Sequence, residues 1–372
     1  MTPASEVRGR HVALAFSSLK GGGIQRVMLT LARGFIDRGL RVDLLIVDPD
    51  GDLRGAVPPE ARVVGLGSRG SLRALPAIAA YLRQARPDAV LASQTHLNLV
   101  VLLARAIAGV RTRVVATEHV ALDAVLANAA TWKERLFPAG ARMGYPHADA
   151  VVAVSQDAAE RFCAATGLSR EMVSVIFNPV VTPDLFVQAR AHVDHPWFAD
   201  DERPVILSAG RLTQQKDHAT LLRAFARLRR SLAARLVILG EGEERQPLEQ
   251  LAGTLGVRAD VQLPGFVTNP FAYMARARVF ALPSRWEGCP NVLIEALACG
   301  APVVSTDCPS GPAEVLQGGM HGRLVPVGDE EAMAEAMVRT LVERADSLAR
   351  VAWARTFSAE RAVDRYLEVL LP

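Results

Sequence analysis

Short apolar segments of strand length alternate with longer amphipathic segments along almost the whole chain. In the first half, a strand predicted at residues 12–17 is followed by a helical pattern over 23–38 and a second strand at 42–47. Five further strands are predicted at residues 61–65, 89–93, 113–117, 150–154 and 173–176. Strands that alternate with helices in this way form a mostly parallel sheet covered by helices on both faces. The first half is therefore predicted to be a doubly wound α/β domain.

The alternation is interrupted once and then starts again. Residues 178–203 hold Pro179, Pro183 and Pro196, and this segment is interpreted as a linker. Beyond it, strands are predicted at residues 205–208, 235–239, 261–263, 279–282, 302–306 and 322–325. A chain of 372 residues is also longer than one hydrophobic core usually supports. We therefore expect two domains of the same class, with a boundary near residue 185.

The composition narrows the class of protein. Half of the residues are hydrophobic and 22% are charged, which is typical of a soluble globular chain. The longest apolar stretch, 97–110, is short for a membrane span, and the N-terminus has no apolar signal-peptide core. The cysteines show no metal-ligand spacing and are interpreted as reduced apolar side chains of a cytoplasmic protein. They are Cys163, Cys289, Cys299 and Cys308.

Basic residues are unevenly distributed. Residues 1–185 hold 21 Lys and Arg against 16 Asp and Glu, a net charge of +5, whereas the remainder holds 21 against 23, a net charge of −2. A basic first half suits an anionic membrane surface or an anionic acceptor, although an arginine-rich composition alone would also produce it. The sequence contains no basic run interleaved with aromatic residues, so nucleic acid binding is disfavoured. Lysine occurs only at Lys20, Lys133 and Lys216, a weak indication that a compact ammonium is needed there.

The segment 283–307 carries two acidic residues around a helix start. Glu287 precedes a helix expected to begin near Pro290, and Glu295 lies in the second turn of that helix. Unpaired backbone N–H groups at a helix N-terminus favour a bound phosphate. Carboxylates instead accept hydrogen bonds from hydroxyl groups. The pattern therefore suggests a ligand with an anionic middle and a polyhydroxylated group on each side, as in a sugar nucleotide.

The same segment reads E-G-x-P-N-x-x-x-E-A-x-A-x-G-x-P-V-V, which strongly resembles the E-x7-E signature of retaining glycosyltransferases of family 4. The resemblance implies the GT-B fold, with two doubly wound Rossmann-like domains facing a central cleft. Residues 1–185 would form the acceptor-side domain and 186–356 the nucleotide-sugar-binding domain. A C-terminal helix within 357–372 would cross back to the first domain. Glu287 would then hold the hydroxyls of the donor sugar and Glu295 those of the ribose.

Further donor-binding positions follow from the resemblance. Gly288, Asn291 and Val292 would contact the donor beside the two acidic residues. Phe266 and Val267, which follow a predicted strand, occupy the position that holds the base in the family.

The segment 210–217 resembles the family sequence G-R-L-x-x-x-K. The resemblance implies that Arg211 and Lys216 hold the diphosphate and that Gly210 lies at the donor. The leaving nucleotide gains negative charge as the glycosidic bond breaks, and preorganised cations stabilise that charge. The alternative is a loop cation and a residue at a helix start, where lysine opposes the helix dipole.

Two motifs in the first half complete the expected site. Gly22 and Gly23 resemble the glycine loop of the family, which faces the donor phosphates and the acceptor, although a plain tight turn would look similar. The loop is not GxGxxG, so binding of NAD is poorly supported. His119 lies where a family histidine approaches the transferred sugar, although a lone histidine at a strand end is usually structural. Glu118 beside it has no such support.

Three further segments leave alternatives open. The acidic turn 48–52 has the form of a metal-binding DxD motif, but its proline and glycine favour a surface turn. Residues 132–145 mix bulky apolar and basic side chains and suit either a membrane interface or an ordinary packed helix. Residues 308–314 resemble a sub-group of the family that builds bacterial surface polysaccharides and lipid-linked glycans.

The resemblance implies a metal-independent enzyme without a cofactor. It would move a hexose or N-acetylhexosamine from a nucleotide diphosphate sugar, with UDP as the expected nucleotide, to a growing glycan or lipid-linked acceptor. The expected location is the cytoplasm, with peripheral contact to the anionic inner membrane, and no nucleic acid partner is expected. The alternatives are a GT-B isomerase or epimerase that acts on a sugar nucleotide alone, and a non-catalytic relative.

Overall fold

The computed structural model describes residues 7–67, 70–119, 137–199, 203–343 and 347–372. The chain divides into two compact units. Unit 1 consists of Met1–Pro179 together with Ala359–Pro372, and unit 2 consists of Val180–Ser358. Each unit contains one sheet in which every strand pair is parallel. The expected fold class is confirmed.

Unit 1 contains a seven-stranded sheet in the order β3-β2-β1-β4-β5-β6-β7. Its strands are β1 (His11–Ser18), β2 (Arg41–Asp48), β3 (Arg62–Gly65), β4 (Ala89–Ser93), β5 (Arg113–Glu118), β6 (Ala150–Ala153) and β7 (Val173–Val175). The helices among its first 179 residues, as far as they are described, are α1 (Gly23–Asp37), α2 (Leu75–Ala85), α3 (Thr95–Ala108), α4 (Phe137–Gly144) and α5 (Gln156–Thr166). Strand β1 is buried on both faces, which explains its continuous apolar sequence.

Unit 2 contains a six-stranded sheet in the order β10-β9-β8-β11-β12-β13. Its strands are β8 (Val205–Ala209), β9 (Arg235–Leu239), β10 (Val261–Gly265), β11 (Val279–Leu282), β12 (Val303–Thr306) and β13 (Arg323–Val325). Its helices are α6 (Pro183–Ala189), α7 (His218–Leu228), α8 (Arg245–Thr254), α9 (Pro270–Met274), α10 (Asn291–Ala298), α11 (Pro312–Val315), α12 (Glu330–Val342) and α13 (Ser347–Ala354). Every strand predicted from the sequence is present, with its ends displaced by at most two residues.

The C-terminal helix, α14 (Ala359–Leu370), belongs to unit 1 and packs against α1. Val363 and Tyr366 of this helix are buried in the core beneath α1. A Cβ atom at Gly34 of α1 would lie 2.4 Å from Cγ2 of Val363, so glycine is what allows the two helices to approach this closely. Nε of Arg113 also donates a hydrogen bond to the carbonyl of Val369 at 2.9 Å. The expected return of the C-terminal helix to the first domain is confirmed.

The segment expected to be a loose linker is partly helical. Thr182 caps α6 by accepting a hydrogen bond from the amide of Leu185 at 3.3 Å, and Pro183 occupies the first turn. Proline is well tolerated there, because its missing N–H has no helical partner at that position. Asn269 then donates to the carbonyl of Gln188 at 2.9 Å and fixes α6 within unit 2. The linker interpretation is therefore wrong for residues 183–189.

A buried carboxylate stabilises the edge of the unit 1 sheet where the strands begin. Asp43 of β2 is fully buried and accepts hydrogen bonds from Tyr81 and Arg62, each at 2.7 Å, while Nε2 of His11 lies 3.0 Å away. Burial raises the pKa of Asp43, but the bonds from Tyr81 and Arg62 outweigh it and hold the pKa below its usual value. This carboxylate is therefore compensated by charged and polar partners.

No helix among the described residues is both long and apolar enough to cross a bilayer. The predicted interface segment 132–145 is only partly described. Lys133 and the rest of 132–136 lie outside the described residues.

Candidate active site

The strand order of unit 2 reverses between β8 and β11, the two central strands of its sheet. Ligands of open α/β sheets bind beyond the carboxyl ends of the strands at such a reversal. The loop after β8 carries Gly210, Arg211 and Lys216, and the loop after β11 carries Glu287. The fold therefore brings the two best sequence motifs to the point where a ligand is expected.

Lys216 and Glu287 form an ion pair at the centre of this region. Nζ of Lys216 lies 2.5 Å from Oε1 of Glu287, and the two side chains are only 13% and 7% exposed. The hydroxyl of Ser284, which is itself buried, donates to the same oxygen at 2.6 Å. The stem of Lys216 lies over Gly210, since a Cβ atom there would be 3.5 Å from three of its carbons. The ammonium and the carboxylate are thus held in fixed positions.

Further bonds tie the two loops together. The amide of Arg285 donates to the carbonyl of Gln215 at 2.8 Å, and the side-chain amide of Gln215 donates to the carbonyl of Trp286 at 3.0 Å. Nε of Arg285 also donates to Asp217 at 3.0 Å. Asp217 in turn caps α7 by accepting from the amide and the hydroxyl of Thr220 at 3.3 and 2.9 Å. The loops therefore behave as one structural element.

A third loop, 307–311, closes against the loop of Glu287. The amide of Glu287 donates to the carbonyl of Pro309 at 3.2 Å. Gly311 has a φ of +112°, and a Cβ atom there would lie 2.5 Å from Cδ of Pro290. Only glycine combines this backbone conformation with so close an approach. The sub-group segment 308–314 thus contributes directly to the shape of the site.

The start of α10 differs by one residue from the sequence-based expectation. Pro290 has a ψ of 82° and is the N-cap, so the helix begins at Asn291. The amides of Leu293 and Ile294 donate to the carbonyl of Pro290. Those of Gly288 and Val292 have no acceptor within the described residues. Unpaired N–H groups at a helix start attract an anion. Glu295 is half-buried in the second turn of the same helix.

Arg211 and Phe266 extend the site along the sheet edge. Arg211 is exposed, and its guanidinium has no ion-pair or hydrogen-bond partner in the part of the chain that the structure describes. Phe266 is 60% exposed directly after β10, and Val267 is half-buried. The amide of Gly240 donates to the carbonyl of Gly265 at 2.8 Å and joins the loops after β9 and β10. The edge thus offers an unpaired cation and an exposed aromatic face.

In unit 1, the strand order reverses between β1 and β4, and the glycine loop follows β1. Gly22 is extended, with a φ of 177° that any residue could adopt, and neither it nor Gly23 lies in the left-handed region that favours glycine. A Cβ atom at Gly22 would clash only with the flexible end of Gln25, at 2.4 Å. The backbone therefore does not require glycine at Gly22 or Gly23. The glycines leave the N-terminus of α1 uncovered, which fits an approaching ligand.

A cavity of about 770 Å³ lies beside this loop, lined by residues that include Lys20, Asp48, Asp50, Ser71 and His96. Nζ of Lys20 lies 2.8 Å from Asp48, and this hydrogen bond lowers the pKa of the Asp48 carboxyl. The amide of Asp50 also donates to Oδ1 of Asp48 at 3.4 Å, and the chain turns at residues 51–53. Within the described ranges, no group of three or more His, Cys, Asp or Glu side chains could hold a metal ion.

His119 follows β5 and is only 7% exposed. Neither ring nitrogen has a hydrogen-bond partner among the residues described. Burial lowers the pKa of His119 to about 4, so the ring is neutral at physiological pH. A buried polar ring without a partner is rare in a folded protein unless a ligand completes it.

Glu118 is the functional candidate that the sequence did not reveal. Its Oε1 accepts hydrogen bonds from Asn98 at 3.0 Å and from the hydroxyl of Tyr145, and its Oε2 accepts from Thr95 at 2.8 Å. Burial raises the pKa of Glu118 to about 7. The sequence feature that could have indicated this buried site is Asn98, a polar residue within the longest apolar stretch of the chain.

Both halves of the chain match known glycosyltransferase families. Residues 21–183 match the family described as Glycosyltransferase Family 4, and residues 203–343 match the family described as Glycosyl transferases group 1. Together these matches include every strand of the two sheets except β1. The chain belongs to glycosyltransferase family 4.

Two curated proteins show what the chain is similar to. The chain is 37% identical over 199 residues to an N-acetylgalactosamine-N,N'-diacetylbacillosaminyl-diphospho-undecaprenol 4-alpha-N-acetylgalactosaminyltransferase of Campylobacter jejuni. That match covers 54% of this chain and 52% of the relative. The chain is also 34% identical over 234 residues to the lipopolysaccharide core biosynthesis glycosyltransferase LpsE of Rhizobium meliloti. This second match covers 61% of this chain and 65% of LpsE. The chain thus spans less than two thirds of either relative.

Solved structures support the GT-B fold of this family 4 member. HepE of Anabaena in complex with UDP superposes with a TM-score of 0.77 at 21% identity, covering 97% of this chain and 99% of HepE. WaaG, a glycosyltransferase of lipopolysaccharide biosynthesis, superposes with a TM-score of 0.72 at 20% identity, covering 95% of each chain. Likeness at this level of identity establishes the fold.

Proposed function

We propose that this protein is a retaining glycosyltransferase that moves a hexose or N-acetylhexosamine from UDP to a glycan or lipid-linked acceptor in polysaccharide biosynthesis. The observation that carries the proposal is the buried pair of Lys216 and Glu287 at the strand reversal of unit 2. It combines a cation for a phosphate with a carboxylate for sugar hydroxyls beside a helix N-terminus.

The donor is assigned to the edge of unit 2 by chemical type. Arg211, Lys216 and the unpaired amides of Gly288 and Val292 take the diphosphate, because all four groups donate to anions. Glu295 accepts from the ribose hydroxyls, with Asn291 next to the phosphates. Gly210 leaves room for the stem of Lys216.

The uracil is assigned to the loop after β10. Phe266 offers an exposed apolar face to the base, and Val267 continues that surface. Aromatic and apolar side chains stabilise a flat ring by stacking and burial.

The reaction is assigned to charge stabilisation and positioning. As the bond from sugar to diphosphate breaks, negative charge accumulates on the leaving nucleotide, and Lys216 and Arg211 stabilise it. Glu287 neutralises Lys216 in the ion pair, and an arriving diphosphate competes for the ammonium and leaves Glu287 to the sugar hydroxyls. Removal of one preorganised donor of this kind typically costs about 10²–10³ in turnover. No metal ion or other cofactor is needed in this scheme.

Retention of the anomeric configuration is assigned to attack by the acceptor hydroxyl on the same face of the sugar from which the nucleotide leaves. The donor phosphate takes the proton of the acceptor hydroxyl, so a new glycosidic bond forms as the bond to the phosphate breaks. His119 is neutral and is assigned to a hydrogen bond with the transferred sugar. Gly22 and Gly23 are assigned to the phosphates at the N-terminus of α1.

The relatives support the choice of acceptor. The Campylobacter jejuni relative is named for transfer of N-acetylgalactosamine to a sugar on diphospho-undecaprenol, and LpsE for lipopolysaccharide core biosynthesis. A HepE structure contains UDP and glucose. We extend these substrate classes to the present chain.

Incubation with a panel of UDP, GDP and ADP sugars tests the proposal. A thermal-shift screen selects the donor, because a bound ligand raises the melting temperature by mass action. NMR of the product with a lipid-diphosphate sugar then gives the anomeric configuration, with EDTA present to test metal independence. An inverted product contradicts retention, and a changed sugar still attached to nucleotide in the absence of acceptor indicates an isomerase.

We also propose that the enzyme acts at the cytoplasmic face of an anionic membrane. The excess of basic residues in 1–185 supports this location. Co-sedimentation with vesicles of phosphatidylglycerol, compared with vesicles of phosphatidylcholine alone, measures the contact. Equal recovery in the two pellets contradicts it.

A further inference from the structure

The end of β5 is held by a buried polar network. The side-chain amide of Asn98 donates both to Oε1 of Glu118 and to the carbonyl of Thr117, each at 3.0 Å. Asn98 also lies 2.9 Å from the hydroxyl of Tyr145, which itself donates to Glu118. Thr95 binds the second carboxyl oxygen of Glu118. Four side chains therefore determine where the last residues of this strand lie.

Among the described residues, no cation forms an ion pair with the buried carboxylate of Glu118. Tyr145 is the one titratable side chain in hydrogen-bond contact with Glu118 among the described residues, and α3 contributes only the neutral groups of Thr95 and Asn98. In β6, the residue paired with Glu118 is Ala153. Asp43 at the opposite edge of the same sheet is, by contrast, bound by Arg62 and faces His11. A buried acid without a cation is costly, and such groups cluster at functional sites.

His119 comes directly after this network and has no hydrogen-bond partner of its own among the described residues. The hydrogen bonds of Asn98 to the carbonyl of Thr117 and to Glu118 hold the backbone directly before this ring. Resting on the function proposed above, we propose that Glu118 is a positioning residue that holds His119 in place for glycosyl transfer. Asn98 and Tyr145 act with it by fixing the carboxyl group.

The chain offers a matched pair of variants. Tyr145→Phe removes a hydroxyl that donates to the buried carboxyl of Glu118, and Tyr81→Phe removes one that donates to the buried carboxyl of Asp43. Both tyrosines are buried in unit 1, but Tyr81 binds Asp43 where the strands begin, whereas Tyr145 binds Glu118 where β5 ends. A purely structural role predicts similar effects of the two substitutions. A positioning role predicts that only Tyr145→Phe changes the transfer reaction.

The test measures kcat and the donor KM of wild type, Tyr145→Phe, Tyr81→Phe and Glu118→Gln. We expect kcat to fall by about 10- to 100-fold in Tyr145→Phe and Glu118→Gln, with donor KM changed by less than about twofold, because misplaced catalytic groups lower the rate of a bound complex. Tyr81→Phe should keep the wild-type kcat. Equal kcat in Tyr145→Phe and Tyr81→Phe, at matched melting temperatures, overturns the proposal.

A second measurement does not depend on activity. Nitrogen NMR of the His119 ring, assigned with His119→Asn, reports the surroundings of the ring directly. The ring signals should shift in Tyr145→Phe and Glu118→Gln and stay unchanged in Tyr81→Phe. Unchanged His119 signals in all three variants overturn the positioning role. If the wild type transfers no sugar but the His119 signals shift in Tyr145→Phe and Glu118→Gln, the proposed function is contradicted. The effect of Glu118 on the position of His119 is then still supported.

Discussion

Lys216 and Glu287 lie 71 positions apart in the sequence, yet their side chains form a nearly buried ion pair with an Nζ–Oε1 distance of 2.5 Å. The pair joins the loops after the two central strands of unit 2. Removing one partner of such a pair leaves a buried charge without compensation, which is strongly unfavourable. The pair therefore stabilises the contact between the two loops and also holds the ammonium and the carboxylate that the proposed reaction needs.

Lys216→Ala should lower turnover by about 10²–10³, and by more than it weakens donor binding, because the charge that Lys216 stabilises grows in the transition state. Arg227→Ala is the matched control, since Arg227 is also an ion-paired cation of unit 2 but lies exposed beside Glu330. Initial rates and calorimetric titration with UDP give the two quantities. Intact turnover in Lys216→Ala would refute its role.

Glu295→Ala should weaken UDP binding by about tenfold, because a carboxylate that accepts from ribose hydroxyls contributes on the order of 1.5 kcal/mol. Glu335→Ala serves as control, since Glu335 is an exposed acid on α12. Isothermal titration with UDP is the measurement. Equal dissociation constants for the two variants would exclude the ribose assignment.

Gly311→Ala should destabilise the protein by about 2–4 kcal/mol, because it adds a clash with Pro290 to the strain of a positive φ. Gly318→Ala separates the two causes. Gly318 also has a positive φ, of +63°, but a Cβ atom there would meet no atom within 4 Å. Urea denaturation should show a loss of only about 1 kcal/mol in Gly318→Ala. Equal losses would remove the clash as an explanation.

Glu118 should make stability depend on pH. Its folded pKa is raised from 4.5 to about 7, so its stabilising contribution is fully present below pH 4.5 and is lost as the pH rises through 7. Relative to Glu118→Gln, the wild type should lose on the order of 3 kcal/mol of unfolding free energy between pH 4.5 and 8. Denaturant unfolding at several pH values measures the difference. If the difference in unfolding free energy between wild type and Glu118→Gln does not change with pH, the pKa of Glu118 is not raised in the folded protein.

The order of strands and helices was accessible from the sequence because parallel strands buried on both faces form continuous apolar runs, as in β1. The position of Lys216 and Glu287 at neighbouring strand ends was accessible for the same reason, since both follow such runs. Their direct contact was not, because sequence spacing does not reveal side-chain direction across 71 residues.

The network around Glu118 could not be predicted in the same way. Thr95 and Asn98 lie on α3, whereas Tyr145 comes 47 residues after Asn98, and each alone is an ordinary polar residue of a helix or turn. The helical turn at Pro183 was missed because proline marks both linkers and helix starts, and the cap at Thr182 decides between them. The contact of Gly311 with Pro290 depends on a tertiary approach that no local pattern encodes.

The packing of Val363 against Gly34 has a consequence for the order of folding. Unit 1 is discontinuous in sequence, because all of unit 2 is translated between α1 and α14. The apolar face of α1 that receives Val363 and Tyr366 stays uncovered until residues 359–370 have been synthesised. Unit 1 therefore reaches its final packing only after all of unit 2 has been synthesised, and exposed apolar surface of this kind is a binding target for chaperones.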